Sequence, residues 1–488
     1  MASIATKRRR RSPAQKRAQA PKQKRRQARK AKAARRKLRR LHQQLPPQAR
    51  ALLDGLAGAF TRPTFLRFAV LVLAAILTVG GRTVCNLLRT LGALAPGHPS
   101  TFHRLFSKRR WSPLRLARLL AGWVLTHLAP EGVVLLAGDD TVEEHPGDKV
   151  YGKGCHRDPV RSTKSHTAWR WGHKWVVLAI LVRLPFSRRL WALPVLVALC
   201  TTKAADDKAG RRHKTPQRLL RQLVCLLLRW FPQRRFLLAG DGNYGTHEVA
   251  GFCAKRGDRL GLVSKFYPNA ALYEPAPPYS GHGRPRVKGA KRPSPQQVVG
   301  QAGKRHRLNV AWYGGQRRAV EVVSGTGQWY QAGQPLVAVR WVFVHDRTGT
   351  HRDEYLFTTD LGLAVKDIVE IYTGRWNIET TFEELRAWLG LGSTRGWKKR
   401  TVLRVAPCLL GLYTLVACLY SQLPARYQGA RAVSWPGKPQ TTFSDALTAV
   451  RRWLWQEWVF ASPGYSRAFA KLPRPFRRLL LSALAPAA

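Results

Sequence analysis

The pentapeptide Leu-Leu-Ala-Gly-Asp occurs twice in this chain, at 135–139 and at 237–241. Each copy closes an apolar run, VVLLAGDD and FLLAGDG, too continuous for a half-exposed strand, so each reads as a central strand of a sheet. Each run also ends on an acid, and acids at the carboxyl ends of central strands stand where sheet proteins put their ligands. One copy could be chance with a capping aspartate. Two copies constrain the chain to a sheet that delivers a carboxylate from each of two inner strands. The repeat aligns Asp139, rather than Asp140, with Asp241.

The pattern around these runs fixes a fold class. Residues 175–184 (WVVLAILVRL) and 190–202 (LWALPVLVALCTT) read as two further strands about a basic turn, residues 215–231 as a helix, and 259–266 as another strand. The order β-β-β-α-β-α-β describes an α/β mixed sheet flanked by helices. Residues 267–300 are rich in Pro, Gly, Lys and Arg and read as an exposed loop. Segments within 308–358 alternate like antiparallel strands, which predicts a β-rich insertion. Residues 51–130 are Leu- and Ala-rich and helical. Within them, 81–111 reads as two short helices around a turn, either a DNA reader of the helix-turn-helix kind or a plain helical subdomain. Phe68–Gly81 is too short to span a bilayer. Val405–Ala425 is long enough, but Pro407, Gly411, Ser421 and Gln422 interrupt it, so it reads as a buried core helix and no membrane is expected.

Charge narrows the partners. The chain holds 85 Lys and Arg against 26 Asp and Glu, a net charge of +59 over 488 residues. Such a chain repels itself unless a polyanion is near, and nucleic acid is the leading candidate. Residues 1–40 carry 19 Lys or Arg and no acid, and the segment 1–50 reads as a disordered basic arm. No apolar stretch of the signal-peptide kind follows these charges. The seven cysteines are scattered, without a Cys-x-x-Cys pair, which suits a reducing cytoplasm. With the cationic charge, the expected location is cytoplasmic and nucleoid-associated.

A helix over 364–390 contains IYTGRWNIETTFEELRAWLGL. Its apolar residues Ile378, Phe382, Leu385 and Leu389 make a buried stripe. Tyr372, Arg375, Glu379 and Arg386 fall on a second face, within about 60° of one another at helical spacing. That face is either a solvated surface with an i,i+4 ion pair or a site for a metal and phosphates. Asp139, Asp241 and Glu379 would give a hard divalent cation its oxygen ligands, Mg²⁺ or Mn²⁺, with two ions about 4 Å apart able to serve an in-line phosphoryl displacement. Arg375 and Arg386 would then face phosphate, and Tyr372 would donate a hydrogen bond. Glu383, one turn from Glu379, is the rival carboxylate. Glu143, Glu144 and Asp148 read as a solvated loop, and Cys155, His156 and His173 lack the spacing of metal ligands.

These motifs resemble the DDE transposases of bacterial insertion sequences, in the group with the helix signature Y-x2-R-x3-E-x6-K. Tyr372, Arg375 and Glu379 match it, and Arg386 stands at the Lys position. Asp139-Asp140-Thr141 matches the family's D-x-T, and Asp241-Gly242-Asn243-Tyr244 its D-x-x-Y. The resemblance runs from about Thr83 to Leu423. It implies an RNase H-like catalytic domain over 131–266 and 359–423. It further implies a β-rich insertion at 267–358, a helical DNA-end-binding domain at 51–130 and a basic helical tail at 424–488. It implies cut-and-paste transposition on double-stranded DNA by a homodimer or larger assembly, with Asp139, Asp241 and Glu379 as the metal-binding triad. Tyr372, Arg375 and Arg386 would grip phosphates of the transposon end. Trp329, ahead of Trp312, would stack on a flipped base, unless it is a core residue. An RNase H-like nuclease or resolvase without strand transfer would share the scaffold, as would a non-enzymatic DNA-binding descendant.

Overall fold

The two pentapeptides lie side by side. In a computed structural model, which describes residues 13–158, 161–163, 165–428 and 440–486, they form β1 (Val134–Glu144) and β5 (Phe236–Gly240). The two strands pair in parallel with Leu135 opposite Leu237 and Gly138 opposite Gly240. Asp139, at the point where β1 passes the end of β5, and Asp241, just after β5, therefore stand at the same level. β1 itself does not end at the acid but runs on to Glu144, paired with β3. The glycines explain the rest of the repeat. A Cβ on Gly138 would sit 2.6 Å from the Leu220 side chain, and one on Gly240 2.7 Å from Cβ of Tyr244. Beneath Gly240 only hydrogen fits, whereas at Gly138 a Cβ would have to push aside the Leu220 methyls.

The sheet continues on both sides. β2 (Gly154–Arg157), β3 (Trp169–Arg183) and β4 (Leu190–Cys200) precede β5, and β6 (Leu260–Lys265) follows it. β4, β3 and β1 run antiparallel in that order, and β1, β5 and β6 run parallel, which is the RNase H-like arrangement. β7 (Leu272–Tyr273), β8 (His306–Ala311), β9 (Arg317–Trp329), β10 (Val337–Asp346) and β11 (Glu354–Thr358) complete eleven strands. The expected insertion is not a body of its own. β11 pairs antiparallel with β6, from Leu356 opposite Lys265 to Thr358 opposite Val263, so β11, β10 and β9 extend the same sheet. An unpaired β6 edge would leave backbone polar groups without partners, and β11 supplies them.

Helices cover the sheet and build a second layer at the amino-terminal end. α1 (Pro13–Gln43), α2 (Pro47–Gly55), α3 (Arg62–Leu77), α4 (Val84–Leu91), α5 (Pro99–Ser107) and α6 (Pro113–His127) precede β1. The disordered arm expected over 1–50 is corrected from Pro13 onward. Ala, Lys, Arg and Gln are strong helix formers, and Leu38, Leu41 and Leu45 bury themselves in the core. Residues 1–12 lie outside the described residues. α7 (Lys203–Lys208), α8 (Pro216–Trp230), α9 (His247–Ala254) and α10 (Pro295–Gln301) fall among the strands. α11 (Val365–Arg375), α12 (Asn377–Leu389), α13 (Lys399–Ser421), α14 (Ala425–Gln428), α15 (Phe443–Leu454), α16 (Ser466–Lys471) and α17 (Arg474–Leu484) end the chain. α13 is long and apolar enough to cross a membrane by length and composition, yet 67% of its most apolar window is buried inside the protein.

Part of the cationic excess is structural. Arg404 donates to the carbonyls of Leu105, Phe106 and Arg109 at the end of α5 and to that of Trp111. Arg451, fully buried, donates to the carbonyls of Ile76 and Thr78 at the end of α3. The last carbonyls of a helix have no partner within it, and a guanidinium answers several at once.

Candidate active site

The helix expected over 364–390 is two helices. α11 ends at Arg375 and α12 begins at Asn377, with Trp376 as the joint. The break puts Glu379 in the first turn of α12, where the helix dipole favours a carboxylate. α11 packs on the sheet through Ile368, Val369, Ile371 and Tyr372, which share an apolar cluster with Leu237, Ala239, Val263, Val342 and Leu356. The acids of β1 and β5 thereby meet the junction of the two helices.

Arg375 is the hub. Its Nη1 lies 3.4 Å from Oδ2 of Asp139, and its Nη2 donates to Oε1 of Glu379 at 3.0 Å. One guanidinium thus spans two of the three expected carboxylates. The third, Asp241, caps the turn after β5. Its Oδ1 accepts from the backbone N–H of Asn243 (3.0 Å) and Tyr244 (3.3 Å). That capping gives Asp-x-x-Tyr a local meaning. The Tyr244 ring is fully buried, and its hydroxyl donates to Oδ2 of Asp140 at 3.1 Å.

Strand alternation separates Asp139 from Asp140. Asp139 faces Arg375, whereas Asp140 pairs with Lys174 Nζ at 2.9 Å. Burial pushes the Asp139 carboxyl up to about 8; Arg375 opposes the rise, and the charges of Asp241 and Asp140 add to it. Asp241 is raised for the same reason, burial first, with Arg375 opposing and Asp140 repelling. Tyr372 is likewise raised by burial and stays a donor.

Asp241 and Glu379 border a cleft of about 690 Å³ also lined by Asn243, Lys265, Glu354, Tyr372 and Arg375, with Tyr313, His351 and Trp376 on its wall. Asp139 is not part of that lining and meets it through Arg375. A larger cleft of about 900 Å³ opens at the other end of the strands, beside Val134 and Leu237, away from the acids. Half-buried, mutually repelling carboxylate oxygens are donors a hard divalent cation takes, and such a cation would relieve their repulsion. In this structure Arg375 stands between Asp139 and Glu379. Among the described residues no three His, Cys, Asp or Glu side chains are grouped closely enough to ligate one ion.

Other expectations fare differently. Trp329 is 5% exposed and packs among Phe266, Phe357 and His247 where β9 ends. It is a core ring and cannot stack on a base as it stands. Trp312 is partly exposed beside Tyr313 and His351. Arg386 does not face the cleft. Its Nε donates to Oε1 of Glu143 at 3.1 Å, and its Nη2 to Thr141. Glu143 is buried in β1 and Glu144 pairs with Arg170, so neither belongs to a solvated loop. Glu383 is exposed. His173 Nε2 hydrogen-bonds the Tyr151 carbonyl at 3.0 Å. All seven cysteines are free. Sequence reasoning missed Lys174, Lys265, Tyr313, His351 and Trp376. Trp376 directly follows Arg375 and breaks the polar face; the others arrive from strands and loops with no motif of their own.

No curated protein matches the chain. Among solved structures, the cryo-EM structure of a piggyBac transposase synaptic complex with hairpin DNA is similar with TM-score 0.38 and 10% identity, over 87% of this chain and 77% of that one. So loose a likeness carries no weight for function. The family model described as DDE superfamily endonuclease matches residues 55–319, more than half of the chain, and that span includes Asp139 and Asp241. The chain belongs to the DDE superfamily endonuclease family.

Proposed function

We propose that the protein is a DNA transposase that cuts and rejoins phosphodiester bonds, with Asp139, Asp241 and Glu379 as its metal-binding carboxylates. The observation that carries this reading is the in-register pairing of β1 with β5, which brings two half-buried aspartates level beside the junction that bears Glu379. Family membership supports the nuclease chemistry. Mg²⁺ or Mn²⁺ bound there, two ions in the fullest form, would activate the attacking oxygen and stabilise the leaving one. Tyr372 keeps its proton and can donate to a phosphate oxygen. Arg375 holds Asp139 and Glu379 in the metal-free protein and can turn its planar fork to phosphate once those oxygens are otherwise engaged. Lys265 stands at the same cleft as a further cation, now paired with Glu354 at 2.8 Å. The partner is double-stranded DNA, both element ends and target, held by two or more protomers in the nucleoid.

The test is strand transfer. Purified protein, the element's own flanking ends pre-cut to expose a 3′-OH, and a supercoiled target plasmid are incubated with Mg²⁺ or Mn²⁺. The reading predicts joined products that require the metal. Nicking without joining would leave a nuclease or resolvase, and neither nicking nor joining would leave a DNA-binding protein without catalysis.

A further inference from the structure

Three indole rings stand on the surface near the end of β1, and the fold does not need them there. β3 runs past β1. Gly172 pairs with Glu144, and beyond it Trp169–Trp171 form a two-stranded ribbon with β2. Alternation sets Trp169 and Trp171 on one face, opposite Arg157 and Cys155 of β2, and sets Arg170 and His156 on the other. The second face is satisfied: Arg170 pairs with Asp158 at 2.7 Å and Glu144 at 3.1 Å, and His156 is buried. The first face is open. Trp169 is 64% exposed and Trp171 61%, although the same chain buries Trp175, Trp191, Trp453 and Trp458.

Trp397, 54% exposed, joins them through the backbone. Its carbonyl accepts from the N–H of Tyr151 at 2.9 Å, and the Tyr151 carbonyl is bonded to His173, two residues from Trp171. Cations interleave the rings. Lys153 Nζ lies 5.8 Å from the Trp171 ring and Lys398 Nζ 4.9 Å from the Trp397 ring, and Arg157 is exposed. In the β1–β3 register Asp139 stands opposite Val177, so Trp171 is roughly 20 Å along the strand from the acids, towards the same end of the sheet.

Exposed rings on a paired strand, with positive charge beside them, call for a flat anionic partner. A second copy of this face would set like charges against one another, which disfavours a symmetric protein contact. Paired DNA hides its base faces, whereas an unpaired strand offers both a ring to stack on and a phosphate for each cation. We propose that the β2–β3 ribbon, with Trp397, is a stacking platform for unpaired bases of a DNA strand running from the acids. The proposal rests on the DNA-binding part of the function above and is independent of cleavage.

The experiment uses the full chain in metal-free buffer, a labelled duplex, and the same duplex with an oligothymidine overhang. The comparison is between wild type, W169A/W171A and W169F/W171F. Wild type is expected to favour the overhang. The Ala pair should lose about tenfold or more on the overhang substrate while holding the plain duplex within about twofold, and the Phe pair should keep most of the preference. Equal weakening on both substrates, or no change on either, overturns the platform. So does a change in sedimentation of the Ala pair with overhang binding intact, which would make the face a contact between copies. Wild type that fails to bind the plain duplex overturns the DNA reading itself, and the platform with it.

Discussion

At the scale of single residues, Asp139 matters most. Burial raises its carboxyl to about 8, so the folded, metal-free protein carries a proton there that the unfolded chain has already released above about pH 4. This contribution to stability falls as pH rises from about 4 to 8. Asp139→Asn should therefore raise the melting temperature of the metal-free protein at pH 8, and calorimetry would read it. A cation must displace the same proton, so Mn²⁺ affinity, read by titration calorimetry, should climb with pH and level off near 8. At pH 6 it should be weaker by about 100-fold. An affinity flat from pH 6 to 8 would place the ion elsewhere. The level placement of Asp139 and Asp241 was legible because a repeated pentapeptide states its own alignment, and parallel pairing realises that alignment. Trp329 and Arg386 were not. A ring in an alternating strand can point to either face, and an arginine on a helix does not announce a buried Glu143 waiting on β1. Exposure lay instead with Trp169 and Trp171, which look like ordinary strand residues in one dimension.

At the scale of elements, the sequence predicts the strands and helices of the central sheet well, because their apolar runs are long and bounded by turns. Its errors concern what each element packs against. Periodicity does not register the turn at Trp376 that divides α11 from α12, since the buried stripe of α12 resumes at once with Ile378. It cannot tell whether β11 belongs to a separate body or to the open edge of β6. Composition misjudged α1 most clearly, because a run of Lys and Arg hides the leucines at its carboxyl end. If that end is docked, replacing Leu38 and Leu41 together by Ala should cost about 4 kcal/mol or more in urea unfolding. A free arm would tolerate both changes without a shift in midpoint.

At the scale of the whole molecule, the net charge of +59 is the dominant property. Some of it is spent inside on helix ends, as at Arg404 and Arg451, but most of it meets solvent. Duplex affinity should accordingly fall by about 1,000-fold or more between 50 and 200 mM salt, in a fluorescence-anisotropy titration at several salt concentrations. A shallow slope would mean that the surface charge does not track phosphate. Whether Asp139, Asp241 and Glu379 cut DNA is decided by metal-dependent nicking of a labelled duplex, with wild type and Glu379→Gln compared and duplex binding measured in parallel. Glu379→Gln should bind duplex within about threefold of wild type but nick at least about 100-fold more slowly. Nicking at the wild-type rate by Glu379→Gln would remove Glu379 from the chemistry and refute the triad.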